Sequence, residues 1–186
     1  MKFEDKKTVV IIESSVTDMM AKISRVLRRR DYGVVLINII GSPEKNQFYK
    51  QAFDKIISFN LKFLKVNFKN IFSILVYLLN KNPGKILKTV IDLKRLKPHV
   101  VIARAPPSWM CFFFKYLFRK YPFIYFPYDI RSHGYNDFRD ALNSGVPAFE
   151  IKSEVFCFEN SDGIIHKGHD DELSNLNNGV LRKNIK

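Results

Sequence analysis

The sequence predicts an α/β protein built on a parallel sheet with helices on both faces. Three observations predict it. Short runs of consecutive apolar, largely β-branched residues recur along the chain, as strands buried on both faces require. Stretches with helical spacing of apolar residues separate them. The alternation of strand and helix is sustained through most of the 186 residues, which is the pattern of crossover connections between parallel strands.

Thr8-Val9-Val10-Ile11-Ile12 opens the sheet. Thr17 is placed to cap a helix running through Arg30, with Met19, Met20, Ile23, Val26 and Leu27 on its apolar face. Tyr32-Gly33 breaks that helix, Val34 to Ile40 forms a second buried strand, and Gly41-Ser42-Pro43 ends it. From Phe48 to Leu79 aromatic residues are interleaved with lysines. That spacing predicts one or two amphipathic helices, with a strand near Lys62 to Val66. Asn82-Pro83-Gly84 is a break, and Lys85 to Leu96 is a helix with Ile86, Leu87, Val90, Ile91 and Leu93 facing inward. Pro98 stops it. His99 to Arg104 is the third clear strand, and Pro106-Pro107-Ser108 leads into a helix over Trp109 to Arg119. Phe123 to Phe126 is a fourth strand, ending at Pro127-Tyr128-Asp129. Asp137 to Asn143 and Phe149 to Asn160 read as helical, and Gly163 to His166 as a short last strand. The whole reads as a single domain over residues 1–170, followed by a polar, loose tail over residues 171–186.

Charge adds a second line of evidence. The net charge is +13. Between Lys45 and Tyr121 there are sixteen Lys and Arg against two acids, Asp54 and Asp92, while the remainder of the chain is close to balance. A basic block of this kind points to an anionic partner: nucleic acid, anionic lipid or a phosphorylated substrate. A lysine-rich solvated surface gives the same tally. The two cysteines, Cys111 and Cys157, sit in apolar surroundings without a C-x-x-C pair, and read as buried thiols. The N-terminus lacks the pattern of a signal peptide. No run of 18 uncharged apolar residues occurs, so no spanning helix is expected. A cytoplasmic chain with peripheral contact to a membrane fits these features.

Several chemistries find no support. No G-x-G-x-x-G follows the first strand, and neither a G-x-x-x-x-G-K-[ST] phosphate loop nor H-E-x-x-H occurs. His99, His133, His166 and His169 lack the spacing of a metal site. No cofactor and no metal are expected, and no residue is assigned as catalytic. Ligands of parallel sheets bind at the carboxyl ends of the strands. The segments of interest are therefore Glu13-Ser14-Ser15, Arg104 to Pro107, Asp129 to Gly134 and Lys167 to His169.

Lys97-Pro98-His99-Val100-Val101-Ile102-Ala103-Arg104 resembles the segment opening Lys-Pro-Asp-Val in family 4-type glycosyltransferases of the GT-B architecture. Phe123 to Arg131 resembles the next strand of that family and its Asp-x-Arg-like turn. Glu154 to Ile165, with Asp162-Gly163-Ile164-Ile165 at its end, resembles the family's helix-to-strand segment. The three occur in the family's order, and the resemblance spans roughly residues 8–170. It implies a Rossmann-like domain forming one half of a GT-B enzyme, the acceptor-side half. The activity implied is transfer of a sugar from a nucleotide sugar to an acceptor. Two features depart from the family: Glu13-Ser14-Ser15 stands where many relatives have a Gly-rich turn, and the second domain with its Glu-x₇-Glu-type motif has no counterpart here. The nucleotide sugar is then shared with a missing domain or a separate donor-domain chain, and the chain is not expected to be active alone.

On this reading Ser14, Ser15, Arg104, Asp129, Arg131 and His133 line the cleft. Asp129, Arg131 and His133 are expected to cluster with the end of the first strand on one rim. Glu154 reads as structural rather than catalytic. Lys62, Lys65, Lys69, Lys115, Arg119 and Lys120, interleaved with aromatic residues, form the candidate surface for an anionic membrane or another polyanion. The alternative function is a non-catalytic basic α/β module that binds a polyanion. Nucleic acid is the less expected partner, because the aromatics sit at helical spacing and no RNP-like or helix-turn-helix signature appears.

Overall fold

The computed structural model describes residues 6–14, 17–59, 83–104, 114–127, 143–145 and 148–165. In chain order the elements are β1 (Thr8–Glu13), α1 (Asp18–Arg29), β2 (Gly33–Asn38), a 3-10 turn (Pro43–Lys45), α2 (Gln47–Ala52), β3 (Lys55–Ser58), α3 (Pro83–Arg95), β4 (Val100–Arg104), β5 (Phe123–Phe126), α4 (Ala148–Asn160) and β6 (Gly163–Ile164). The six strands form one parallel sheet in the order β3-β2-β1-β4-β5-β6. This is the α/β, Rossmann-like class that the strand and helix alternation predicts. By backbone contacts the chain divides into two compact units, Met1–Val101 and Ile102–Lys186.

In the first unit, β1 and β2 are buried at every position. That burial explains why both sequences are continuous apolar runs without alternation. They pair in parallel from Thr8↔Gly33 to Glu13↔Asn38, and β2 pairs with β3 from Val35↔Lys55 to Asn38↔Ser58. The His99 N–H donates to the Thr8 carbonyl at 2.8 Å.

Helix α1 starts at its Thr17 cap, as expected. Its buried face, however, is Met20, Ala21 and Ser24, while Met19 and Val26 are 39% and 51% exposed. Ser24 enters the interior because its hydroxyl donates to the Ala52 carbonyl at 2.6 Å, which ties α1 to α2. The helix ends one residue earlier than the Tyr32-Gly33 break suggests. Asp31 takes a left-handed conformation at φ 66°, and the Asp31 and Tyr32 N–H groups donate back to the Arg28 and Leu27 carbonyls. This is a Schellman closure with Asp in the usual glycine position, tolerated because a short polar side chain suits that region. Gly33 belongs to β2 instead.

The region from Phe48 onward also differs from the expectation of helices with a strand near Lys62 to Val66. Helix α2 is short, and a strand follows at Lys55–Ser58. The expected strand near 62–66 lies outside the described residues. On α3, Leu93 is buried but Leu87 and Ile91 are 63% and 41% exposed. Lys97, at φ 42°, turns the chain after α3 and before Pro98.

The second unit is built on aromatic packing. Phe114 and Phe118 stack at 6.5 Å, and Tyr125 of β5 meets Phe158 of α4 edge-on at 5.1 Å. Phe123, Tyr125, Cys157 and Phe158 are essentially inaccessible. Residues 114–117 are helical and 118–120 form a turn, so this helix closes just before the expected Arg119. β5 and β6 pair in parallel through Ile124↔Gly163 and Tyr125↔Ile164. Among the described residues, no helix is long and apolar enough to cross a membrane.

Candidate functional site

The register of the first unit brings three polar residues into one row at the carboxyl rim of the sheet: Glu13, Asn38 and Ser58. Each is the last residue of its strand. Apolar residues fill the layers below, so polarity begins where the strands emerge.

Glu13 is 1% exposed. Its carboxylate accepts from the Thr17 hydroxyl at 3.1 Å and from the Thr17 N–H at 3.3 Å. The charge thus sits at the start of α1, where the helix dipole favours it. Asn38 is fully buried. Its Nδ2 donates to the Ile40 carbonyl at 2.6 Å and the Gly41 carbonyl at 3.3 Å. Only the amino side of an amide can serve two carbonyls, so the orientation is fixed. The other side, Oδ1, is buried without a hydrogen-bond partner among the described residues. An unmet buried acceptor costs about 1–3 kcal/mol.

Around this row lie further groups. The Ser58 hydroxyl donates to Glu44 at 2.6 Å. Burial pulls the Glu44 carboxyl upward, but hydrogen bonds from Ser58, its own backbone and Ser42, with the Lys45 charge, outweigh it and hold the group below the ordinary range. The Tyr49 hydroxyl donates to Asp18 at 3.2 Å. Burial raises the phenol first, and the Asp18 hydrogen bond and the charges of Asp18 and Glu13 raise it further. The rim therefore combines carboxylates, hydroxyls and an amide oxygen within a strongly basic chain. Such a set accepts hydrogen bonds from hydroxyl groups and repels phosphate.

The expected cleft residues are placed as follows. Ser14 follows β1, and its carbonyl accepts from the Ile40 N–H at 2.7 Å. Arg104 ends β4, 7% exposed, with its guanidinium 5.8 Å from the centre of the Phe126 ring. Ser15, Asp129, Arg131 and His133 lie outside the described residues. Of the expected polyanion surface, Lys62, Lys65 and Lys69 also lie outside them. Lys115 is ion-paired with Asp162 at 2.9 Å, and its side chain is only 15% exposed. Arg119 and Lys120 are exposed, and Arg119 lies 5.8 Å from the ring of the exposed Tyr116.

Asp162, from the segment that carries the family resemblance, joins β5 to β6. It accepts from Lys115 and from the Phe123 N–H at 2.8 Å, while its own N–H donates to the Phe123 carbonyl. Burial raises its carboxyl, but the Lys115 and Phe123 hydrogen bonds outweigh burial and lower it overall. Glu154 is fully buried within α4.

Sequence reasoning misses Asn38, Ser58, Glu44 and Tyr49. Asn38 carries a usable signal, a lone amide inside an apolar run from Val34 to Ile40. The others become neighbours only through the β2–β3 register.

No protein-family model matches the chain, and no curated protein matches it. Among solved structures, the chain is similar to sucrose-phosphate synthase from Thermosynechococcus elongatus, with a TM-score of 0.50 and 11% identity, covering 96% of this chain and 85% of that chain. That protein is a GT-B glycosyltransferase, so the likeness is to a glycosyltransferase-like fold. A threonine deaminase from T.th. aligns at a TM-score of 0.23 and 9% identity, over 66% of this chain and 45% of that one, which is too low to carry an argument.

Proposed function

We propose that this chain is the acceptor-side half of a glycosyltransferase, with the carboxyl rim of β1, β2 and β3 receiving a hydroxyl-rich, uncharged acceptor. The observation that carries the reading is the shared fold with a sucrose-phosphate synthase over 96% of the chain. The rim agrees with it: Glu13, Asn38 and Ser58 end neighbouring strands in one row, and Glu44 accepts from Ser58 at its end. Holding a sugar hydroxyl in place is how such a half contributes to rate, since orientation removes entropy from the reacting pair.

The leaving diphosphate of a nucleotide sugar needs positive charge. Arg104 and Arg131 are the candidates from this chain, and a donor-binding domain supplies the rest of the grip. The experiment is a transfer assay. The 186-residue chain alone, given UDP- or GDP-sugars and a panel of saccharide acceptors, is expected to give no transfer. Robust turnover overturns the half-enzyme reading.

Peripheral docking on anionic lipid extends the same proposal. The exposed Tyr116, Arg119 and Lys120 present an aromatic and two cations side by side. Each cation near an anionic surface contributes about 1 kcal/mol. Arg119→Gln and Lys120→Gln are each expected to weaken co-sedimentation with anionic vesicles roughly fivefold. Equal binding to neutral and anionic vesicles removes the docking proposal.

A further inference from the structure

At the amino ends of the strands of the first unit lies a hollow of about 330 Å³, lined by Lys6, Arg25, Arg28, Arg29 and Asp54. Among the described residues, four of the five that line it are cationic. Its four cations come from the segment before β1 and from α1, outside the basic block read in the sequence. Arg25, Arg28 and Arg29 are three and four residues apart, so the helix places them on one face. Like charges so placed repel one another, and an anion between them reverses the sign of that interaction.

The donors are held in place by groups outside the hollow or at its edge. Arg28 Nε pairs with Asp54 at 3.1 Å, and its Nη1 donates to the Gln51 carbonyl. Arg25 lies over the Phe48 ring at 4.2 Å. Lys6 pairs with Asp31 at 2.7 Å. The Asp54 carboxylate in the lining is already committed, since it also accepts from the Val34 N–H at 2.8 Å. Among the described residues, neither Arg25 nor Arg29 has a carboxylate partner. Arg28 and Arg29 complement the negative end of the α1 dipole. Arg25 stands a turn earlier and stacks on Phe48.

We propose that this hollow binds the phosphate group of a small soluble ligand. Its volume is that of a small-molecule site, and planar guanidinium forks match phosphate oxygens. The site uses none of the rim residues, so it stands or falls separately from the acceptor site.

The test is titration of the full chain with inorganic pyrophosphate at low salt, followed by calorimetry and by amide NMR shifts. One-to-one binding is expected, with shifts at Lys6, Arg25, Arg29 and Asp54. Arg25→Gln and Arg29→Gln are each expected to weaken it about tenfold, the loss of one charge-assisted contact. Lys88→Gln and Lys94→Gln on α3 remove the same charge elsewhere and should change affinity by less than about twofold. Circular dichroism confirms that each variant is folded. Equal weakening by the α3 variants, or no saturable binding, overturns the site. Vesicles of phosphatidic acid form a second arm. Binding to them that depends on Arg25 and Arg29, without binding of pyrophosphate, overturns the assignment to a soluble ligand.

Discussion

Asn38 concentrates the chemistry of the rim in one side chain. Its amide closes the turn after β2 through two carbonyls, while Oδ1 is buried and unmet among the described residues. Asn38→Ala should cost about 1–3 kcal/mol, because the carbonyls lose their donor. Asn38→Asp should cost more at neutral pH, since it adds a carboxylate beside Glu13 in the strand register, and acidification should recover part of the loss. Urea unfolding at two pH values checks both.

Asp162 gives a pH signature. Its folded value is lowered, so its stabilisation is present above the unfolded pKa and is lost as pH falls through the folded one. The side chain is 56% exposed, so screening limits the effect to on the order of 1 kcal/mol or less. Asp162→Asn should flatten the acid limb of the stability curve below about pH 5. An unchanged limb would show that Glu44 and other carboxylates carry it.

At the scale of elements, legibility follows burial. β1 and β2 announce themselves because both faces are covered and nearly every position is apolar. β3 does not, because Lys55-Ile56-Ile57-Ser58 is an edge strand with no buried residue and only two apolar ones. The face of α1 departs from its sequence reading for a related reason: Ser24 reads as polar, yet a single hydrogen bond to Ala52 satisfies it in the interior. The rim inherits both effects, since Ser58 and Glu44 join it only once β3 is placed beside β2. The arginines of α1 escape a tally of charge along the chain, because helical spacing gathers what the linear count spreads out.

Packing should separate α4 from α3. Phe158→Ala removes a ring packed against Tyr125 and should cost about 3–5 kcal/mol. Leu87→Ala, at a side chain 63% exposed, should stay within about 0.5 kcal/mol. Denaturant midpoints decide both values.

At the scale of the whole molecule, charge and function divide between places. A chain with net charge +13 keeps an acceptor-rich rim at the carboxyl ends of β1, β2 and β3, and a cationic hollow at the amino ends of the same unit. The proposed function needs the first of these to take neutral hydroxyl groups. Amide NMR titration of the chain with soluble mono- and disaccharides tests that most directly. Shifts are expected at Glu13, Ser14, Asn38, Ile40 and Ser58, with Lys6, Arg25 and Arg29 unmoved, and those shifts should be lost in a folded Asn38→Ala variant. Saccharides that bind nowhere on the chain, or that shift only residues away from this rim, would contradict it.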